Sequence, residues 1–206
     1  MKRRVAILIS GRGSNMAALI AAARDPVEIV LVISNQPDAP GLTLARDAGV
    51  PVQAIDHRPF KRDRVAHEAA IDAALSDARA DIVCLAGYMR LLTPRLIEPW
   101  QGRMLNVHPS LLPAFPGLHT HERALEAGVK LHGCTVHIVT QTTDEGPILA
   151  QAAVPVLPGD TPGSLAARVL VQEHRIYPLA MHSFATGMDR APQDARATLI
   201  NPRLDE

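Results

Sequence analysis

Val5-Ala6-Ile7-Leu8-Ile9-Ser10-Gly11-Arg12-Gly13-Ser14-Asn15 is the stretch on which the fold turns. Residues 5–10 are apolar and partly β-branched, so they predict a strand, and the helical pattern of residues 15–24 follows at once. The glycines between them let the backbone turn sharply, and the N–H groups that open the helix then point at an anion. Gly13, Ser14 and Asn15 are the candidate phosphate contacts, the last two adding a hydroxyl and an amide. The other reading is a plain strand–helix turn. A dinucleotide fingerprint would need glycine where Met16 stands and an acid where Ser34-Asn35-Gln36 stands. A Walker loop would need Gly-Lys-Ser/Thr, which is absent. A phosphate monoester fits better than either.

Beyond this bend, short apolar runs alternate with helical patterns. Residues 29–34, 52–55, 82–86 and 104–107 predict further strands, and residues 42–48 and 61–78 predict helices. In the second of these, Val65, Ala69, Ile71 and Leu75 make an apolar face. Strands that are apolar throughout imply a sheet covered on both sides, hence parallel strands under helices. The fold class expected is α/β, a doubly wound and mostly parallel sheet in a single domain. The first half spans 1–107 and the second 108–187. Residues 108–117 are Pro-rich and irregular, and residues 120–127 predict a short helix. Residues 135–140 and 147–156 predict a strand pair, and Thr161-Pro162 caps a long helix that Pro178 is expected to kink or split. Residues 188–206 read as a tail.

Composition removes several function classes. The 206 residues carry 21 Lys+Arg and 21 Asp+Glu, so no broad basic field is available for nucleic acid. Aromatics are 3% of the chain, too few for base-stacking platforms. No run reaches the roughly 20 apolar residues of a membrane helix. Two cysteines, Cys84 and Cys134, make no disulfide framework and suit a reducing, cytoplasmic setting. Nine histidines invite a metal reading, with His119, His121, His132 and His137 as the obvious set, but zinc-type spacings are missing and no metal is expected.

The expected fifth strand ends in Asn106-Val107-His108-Pro109. Side chains alternate along a strand, so Asn106 and His108 share one face at its C-terminal tip. An amide donor beside an imidazole suits attack on a carbonyl: the amide steadies the developing oxyanion and the imidazole moves a proton. No Ser or Cys stands in a nucleophile elbow, so direct transfer between two bound substrates is favoured over a covalent intermediate. Asp144 lies in a loop, where it is either an exposed turn former or the partner that orients His108. His137 is either a core or a site-facing histidine.

Seven strings then occur in order: 9–15, 85–92, 105–113, 116–121, 133–137, 144–148 and 172–178. Together they resemble the phosphoribosylglycinamide formyltransferase family, from Val5 to about Gly187. The resemblance implies transfer of a formyl group from 10-formyltetrahydrofolate, as co-substrate and without metal, to the amine of glycinamide ribonucleotide in purine biosynthesis. It implies that Gly13, Ser14 and Asn15 hold the 5′-phosphate and that Glu173 binds the ribose hydroxyls. Without it, Glu173 is a solvated helix carboxylate. It further implies that Met89, Arg90, Leu91, Leu92 and Asn106 line the folate site, and that Arg64 meets the folate glutamates. Alone, residues 89–92 look like a core strand running into a turn, and Arg64 like an ordinary exposed arginine. Asn106, His108 and Asp144 are the catalytic residues it implies.

The partners so implied are the two small molecules, with no nucleic acid and no membrane, and the chain is expected to be a monomer or weak homodimer. One position departs from the family: Leu170 stands where a polar residue is usual, so it is left out of the site. A 10-formyltetrahydrofolate hydrolase is the nearest alternative enzyme, and formyl release with and without the ribonucleotide separates the two. A nicotinamide oxidoreductase lacks its glycine and acid, and a non-catalytic ligand module leaves the Asn/His pair unexplained.

Overall fold

The computed structural model describes residues 2–187 and the backbone of residues 198–200. The chain forms two compact units, Met1–Asn106 and Val107–Glu206.

In the first unit, β1 (Arg3–Ile9) leads to α1 (Ser14–Ala22), β2 (Val27–Ser34), α2 (Pro40–Asp47) and β3 (Val52–Ala54). A 3-10 turn at Arg58–Phe60 precedes α3 (Arg64–Asp77), β4 (Ile82–Leu85), α4 (Pro94–Ile97) and the start of β5 (Met104–His108). The pairings run β3-β2-β1-β4-β5 and every one is parallel, as the apolar strands predict. Val5 to Ile9 and all of β4 are buried, which is the signature of a sheet covered on both faces. The chain winds one way from β1 to β3 and then returns to the other side of β1. Ligands of such sheets bind beyond the C-terminal ends of the strands at that reversal. The glycine bend follows β1, and the irregular run of residues 86–93 follows its neighbour β4.

One expected helix face is corrected. Val65 is 52% exposed. The buried positions of α3 are His67, Glu68, Ile71, Ala74 and Leu75. The apolar count over residues 61–78 misplaced the stripe because two polar side chains occupy the inner face. His67 is satisfied there by the Ile55 carbonyl, to which its Nε2–H donates at 2.9 Å.

The second unit holds α5 (Thr120–Glu126), the antiparallel pair β6 (Leu131–Ile138) and β7 (Ile148–Pro155), α6 (Pro162–Thr186) and β8 (Thr198–Ile200). Thr161 caps α6 in a reciprocal capping box with Ser164, and Pro162 takes the first turn. Pro178 does not split the helix, which is a single element of 25 residues. Residues on both sides of Pro178 are anchored: Ile176, Tyr177, Ala180 and Met181 are all buried. That packing outweighs the missing backbone donor, since tertiary burial rather than local preference holds most helices. β8 lies parallel to β7 and was not foreseen. The rest of the tail expected over 188–206 falls outside the described residues.

Candidate active site

Gly13 is the N-cap of α1 and takes a left-handed backbone, φ 76°. A side chain there would press on the Cα of Gly41 at 3.0 Å. The approach is mutual. A Cβ on Gly41 would meet Ile9 Cδ1 at 2.6 Å and the Gly11 carbonyl at 2.9 Å, and the Gly41 N–H donates to that carbonyl at 3.1 Å. The first turn of α2 is therefore seated on the bend and shapes it. The first turn of α1 carries no acid to oppose an anion. Ser14 is exposed at the helix start and Asn15 is buried beside it. The end of β2, where a dinucleotide site would place a carboxylate, carries Asn35 instead, and its Oδ1 accepts from the Ser10 hydroxyl at 2.5 Å.

The same hydroxyl accepts the Met89 N–H at 2.8 Å, and the Ser10 N–H donates to Gly87 O at 3.2 Å. The segment after β4 is thereby tied to the glycine bend. Met89 and Leu91 are 70% and 65% exposed, so residues 89–92 are not the core strand that their apolarity alone suggests. They form an apolar rim beyond the sheet. Arg90 and Leu92 are half-buried, and Arg64 is exposed at the first position of α3. Tyr88, in the same run, has a buried hydroxyl with no hydrogen-bond partner, and burial raises its pKa.

In the second unit His108 is 6% exposed at the end of β5. Its Nε2–H donates to Phe115 O at 3.1 Å, and its Nδ1 lies 3.5 Å from Asp144 Oδ2. Asp144 is not the exposed turn former of the bland reading, because its side chain is only 7% exposed. It adopts φ 59°, and Oδ2 also accepts the Gly117 N–H at 2.9 Å. His137 Nε2 stands 3.9 Å from Asp144 Oδ1, which decides that histidine's position in favour of the site. A register shift in β6 falls between Val136 and His137, re-aiming the side chain as bulges do. Burial lowers the His137 pKa, while the Ile138 carbonyl and the Asp144 charge work against the shift. The carboxylate thus faces two imidazoles and one backbone amide in a nearly dry place.

Asn106 sits two positions before His108 on β5 and is half-buried. Glu173 is 7% exposed on α6, so it is no solvated helix carboxylate. The Cys134 thiol is held up by burial first and by the Glu173 charge second. Leu170 is half-buried one turn earlier on α6. Among the described residues, no group of three or more His, Cys, Asp or Glu could hold a metal ion. Of the histidines that invite a metal reading, His119 is exposed with Glu122 at 3.8 Å, and His121 Nδ1 lies 3.2 Å from His132 Nε2. No helix among the described residues is long and apolar enough to cross a membrane.

The formyl transferase family matches residues 3–181 of this chain. The phosphoribosylglycinamide formyltransferase of Escherichia coli (strain K12) is 43% identical over 203 residues, covering 97% of this chain and 95% of that one. The chain belongs to the phosphoribosylglycinamide formyltransferase family. A solved family member from Brucella melitensis is 61% identical, with a TM-score of 0.85 over 91% of this chain and 98% of that one. The trifunctional purine biosynthetic protein adenosine-3 of Homo sapiens is 49% identical over 189 residues, 90% of this chain. The chain spans only 14% to 20% of the length of the trifunctional relatives that it matches.

Within this chain, sequence reasoning overlooked Gly41 and Thr135. Gly41 had a signal: Pro40-Gly41 is a break just before the helix expected at 42–48. Thr135 had none. Its hydroxyl donates to Ser110 O at 2.7 Å and accepts both Leu112 N–H and Gln151 Nε2–H at 3.0 Å. Those bonds fasten the Pro-rich run after His108 onto β6.

Proposed function

We propose that the chain transfers the formyl group of 10-formyltetrahydrofolate to the amine of glycinamide ribonucleotide, giving N-formylglycinamide ribonucleotide and tetrahydrofolate. The observation that carries this reading is the buried His108–Asp144 pair at the tip of β5, with Asn106 two positions before it. It is joined to family membership across nearly the whole chain.

The neutral amine attacks the formyl carbon and a C–N bond forms. The carbonyl electrons move onto oxygen, where the Asn106 amide donates a hydrogen bond and the His108 Nε2–H does so in exchange for the Phe115 carbonyl that it meets in the free protein. Asp144, 3.5 Å from Nδ1, accepts from the imidazole and holds the ring in orientation. The bond from carbon to N10 of the folate then breaks, and the proton lost by the amine goes to N10. No covalent enzyme intermediate is needed. The first-unit bend, at Gly13, Ser14 and Asn15, holds the 5′-phosphate. Glu173 accepts from the ribose hydroxyls. Met89 to Leu92 bind the folate ring system, with Arg64 for its glutamate carboxylates. The chain works as a cytoplasmic monomer or weak homodimer.

The test is a formyl-transfer assay with purified protein and no added metal. Wild type produces formylglycinamide ribonucleotide, and His108→Ala lowers turnover by at least about 10²-fold, the usual scale for one acid–base group. Full turnover in a clean His108→Ala preparation overturns the mechanism. Formyl release that ignores the ribonucleotide points to a hydrolase. Because the amine attacks unprotonated, the rate falls in acid, and a flat profile from about pH 5 to 8 contradicts the scheme.

A further inference from the structure

Glu68 is 2% exposed on α3. Both carboxylate oxygens are used on one residue: Oε1 accepts the Thr93 N–H at 2.8 Å, and Oε2 accepts the Thr93 hydroxyl. Thr93 is the N-cap of α4, yet its side chain makes no cap bond to its own helix. The capping group comes from α3 instead. A buried charge is costly unless its partners are held closely. An apolar residue would pack α3 on α4 without that cost, so the carboxylate is there to fix a position.

The position it fixes is the C-terminal end of residues 89–92. Their N-terminal end is already pinned, by Met89 N–H on the Ser10 hydroxyl. The four residues between have no regular structure and expose two large apolar side chains. Loose at one end, such a segment would fold its apolar side chains back onto the protein. One helical turn further along α3, Asp72 accepts from Trp100 Nε1–H at 2.9 Å and from Arg95 at 3.2 Å. Arg64, Glu68 and Asp72 are spaced four apart on α3 and therefore share one stripe. Asp72 holds Arg95 on α4 and Trp100 beyond it, and Glu68 holds Thr93, the residue that joins α4 to the exposed segment.

We infer that Glu68 is a positioning residue for the donor-binding segment 89–92, acting through Thr93. Its substrate consequence rests on the function proposed above, whereas its structural consequence does not. Two readouts keep these apart. In the free protein, Glu68→Ala speeds amide hydrogen exchange at Met89 and Leu96 about tenfold and leaves Ala17 in α1 unchanged. In the assay, Glu68→Ala raises KM for 10-formyltetrahydrofolate about tenfold and leaves KM for the ribonucleotide within about twofold.

Glu68→Gln keeps one acceptor for the Thr93 N–H and restores most of both. Thr93→Val keeps the N–H bond and loses the hydroxyl, so it moves both readouts in the same direction as Glu68→Ala by a smaller factor, and the double variant is no worse than Glu68→Ala. Asp72→Asn changes neither. If Glu68→Ala fails to fold, Thr93→Val and Glu68→Gln carry the comparison. Unchanged exchange at Met89 and Leu96, equal rises in both KM values, or an equal effect from Asp72→Asn overturns the inference. Absence of transfer by wild type overturns the proposed function instead, with exchange still deciding the role of Glu68.

Discussion

The two units build their polar sites in different ways. In Met1–Asn106 the proposed anion cradle is backbone: a left-handed glycine, a helix start, and a second glycine pressed against both. In Val107–Glu206 the site is side chains, with His108, His137 and Asp144 arriving from two strands and a loop to meet within 4 Å of one carboxylate. A backbone cradle tolerates changes in what surrounds it provided that no Cβ intrudes. A side-chain cluster tolerates a changed backbone neighbour but not a changed functional group. Substitutions of each kind should therefore separate stability from turnover.

The largest effect is expected where the functional group changes with the shape kept. Asp144→Asn should lower kcat about 10²-fold, the low end for one acid–base partner, with the melting temperature nearly preserved. Steady-state kinetics beside calorimetry checks it, and a melting shift that accounts for the lost activity would sink the contrast. Next, Gly41→Val should destabilise the first unit by about 1–3 kcal/mol, because Ile9 and the Gly11 carbonyl must yield. It should also weaken binding of inorganic phosphate, read by denaturant titration and calorimetric binding.

A third test uses acid. Burial holds the His132 pKa down to about 4 from an ordinary 6.5, and neighbouring His121 adds to this. Unfolded chains bind the proton that the folded chain refuses. Stability is therefore complete above about pH 6.5 and declines as the pH falls towards 4. Urea midpoints at pH 7 and 5 should differ, and His132→Asn should narrow that difference. An unchanged gap in the variant would assign the acid sensitivity elsewhere. The smallest effect concerns Tyr88. Replacing it with Phe removes a buried hydroxyl that has no partner and should stabilise the protein by up to about 1 kcal/mol. A lower melting temperature for Tyr88→Phe would show that the hydroxyl is satisfied in solution.

The contrast also explains what could be read in advance. The parallel strands and the bend at Gly11–Gly13 are legible because their causes are local: continuous apolar runs, glycines, and a helix start within a few residues. Asn106 and His108 are legible for the same reason, as neighbours on one strand. The company of Asp144 was legible only as one of two readings, because a loop acid looks the same whether it faces water or an imidazole, and His137 as its second neighbour was not foreseen. Val65 and Pro178 misled in the opposite direction. A local rule gave each an answer, and packing from elsewhere overrode it, through His67 and Glu68 on α3 and through the buried residues that flank Pro178. Glu68 went unremarked in the sequence, because its partner Thr93 lies 25 residues away.

Gly41 carries a last consequence. The partner that completes the bend arrives on α2, whose distance along the chain is set by the short run after β2. That run works as a ruler. One inserted residue would turn α2 by about 100° relative to its entry point and bring Pro40 to the spot that only a bare α-carbon can occupy. Length in residues 35–39 is therefore under the same constraint as composition in residues 11–13, although no ligand atom need ever touch it.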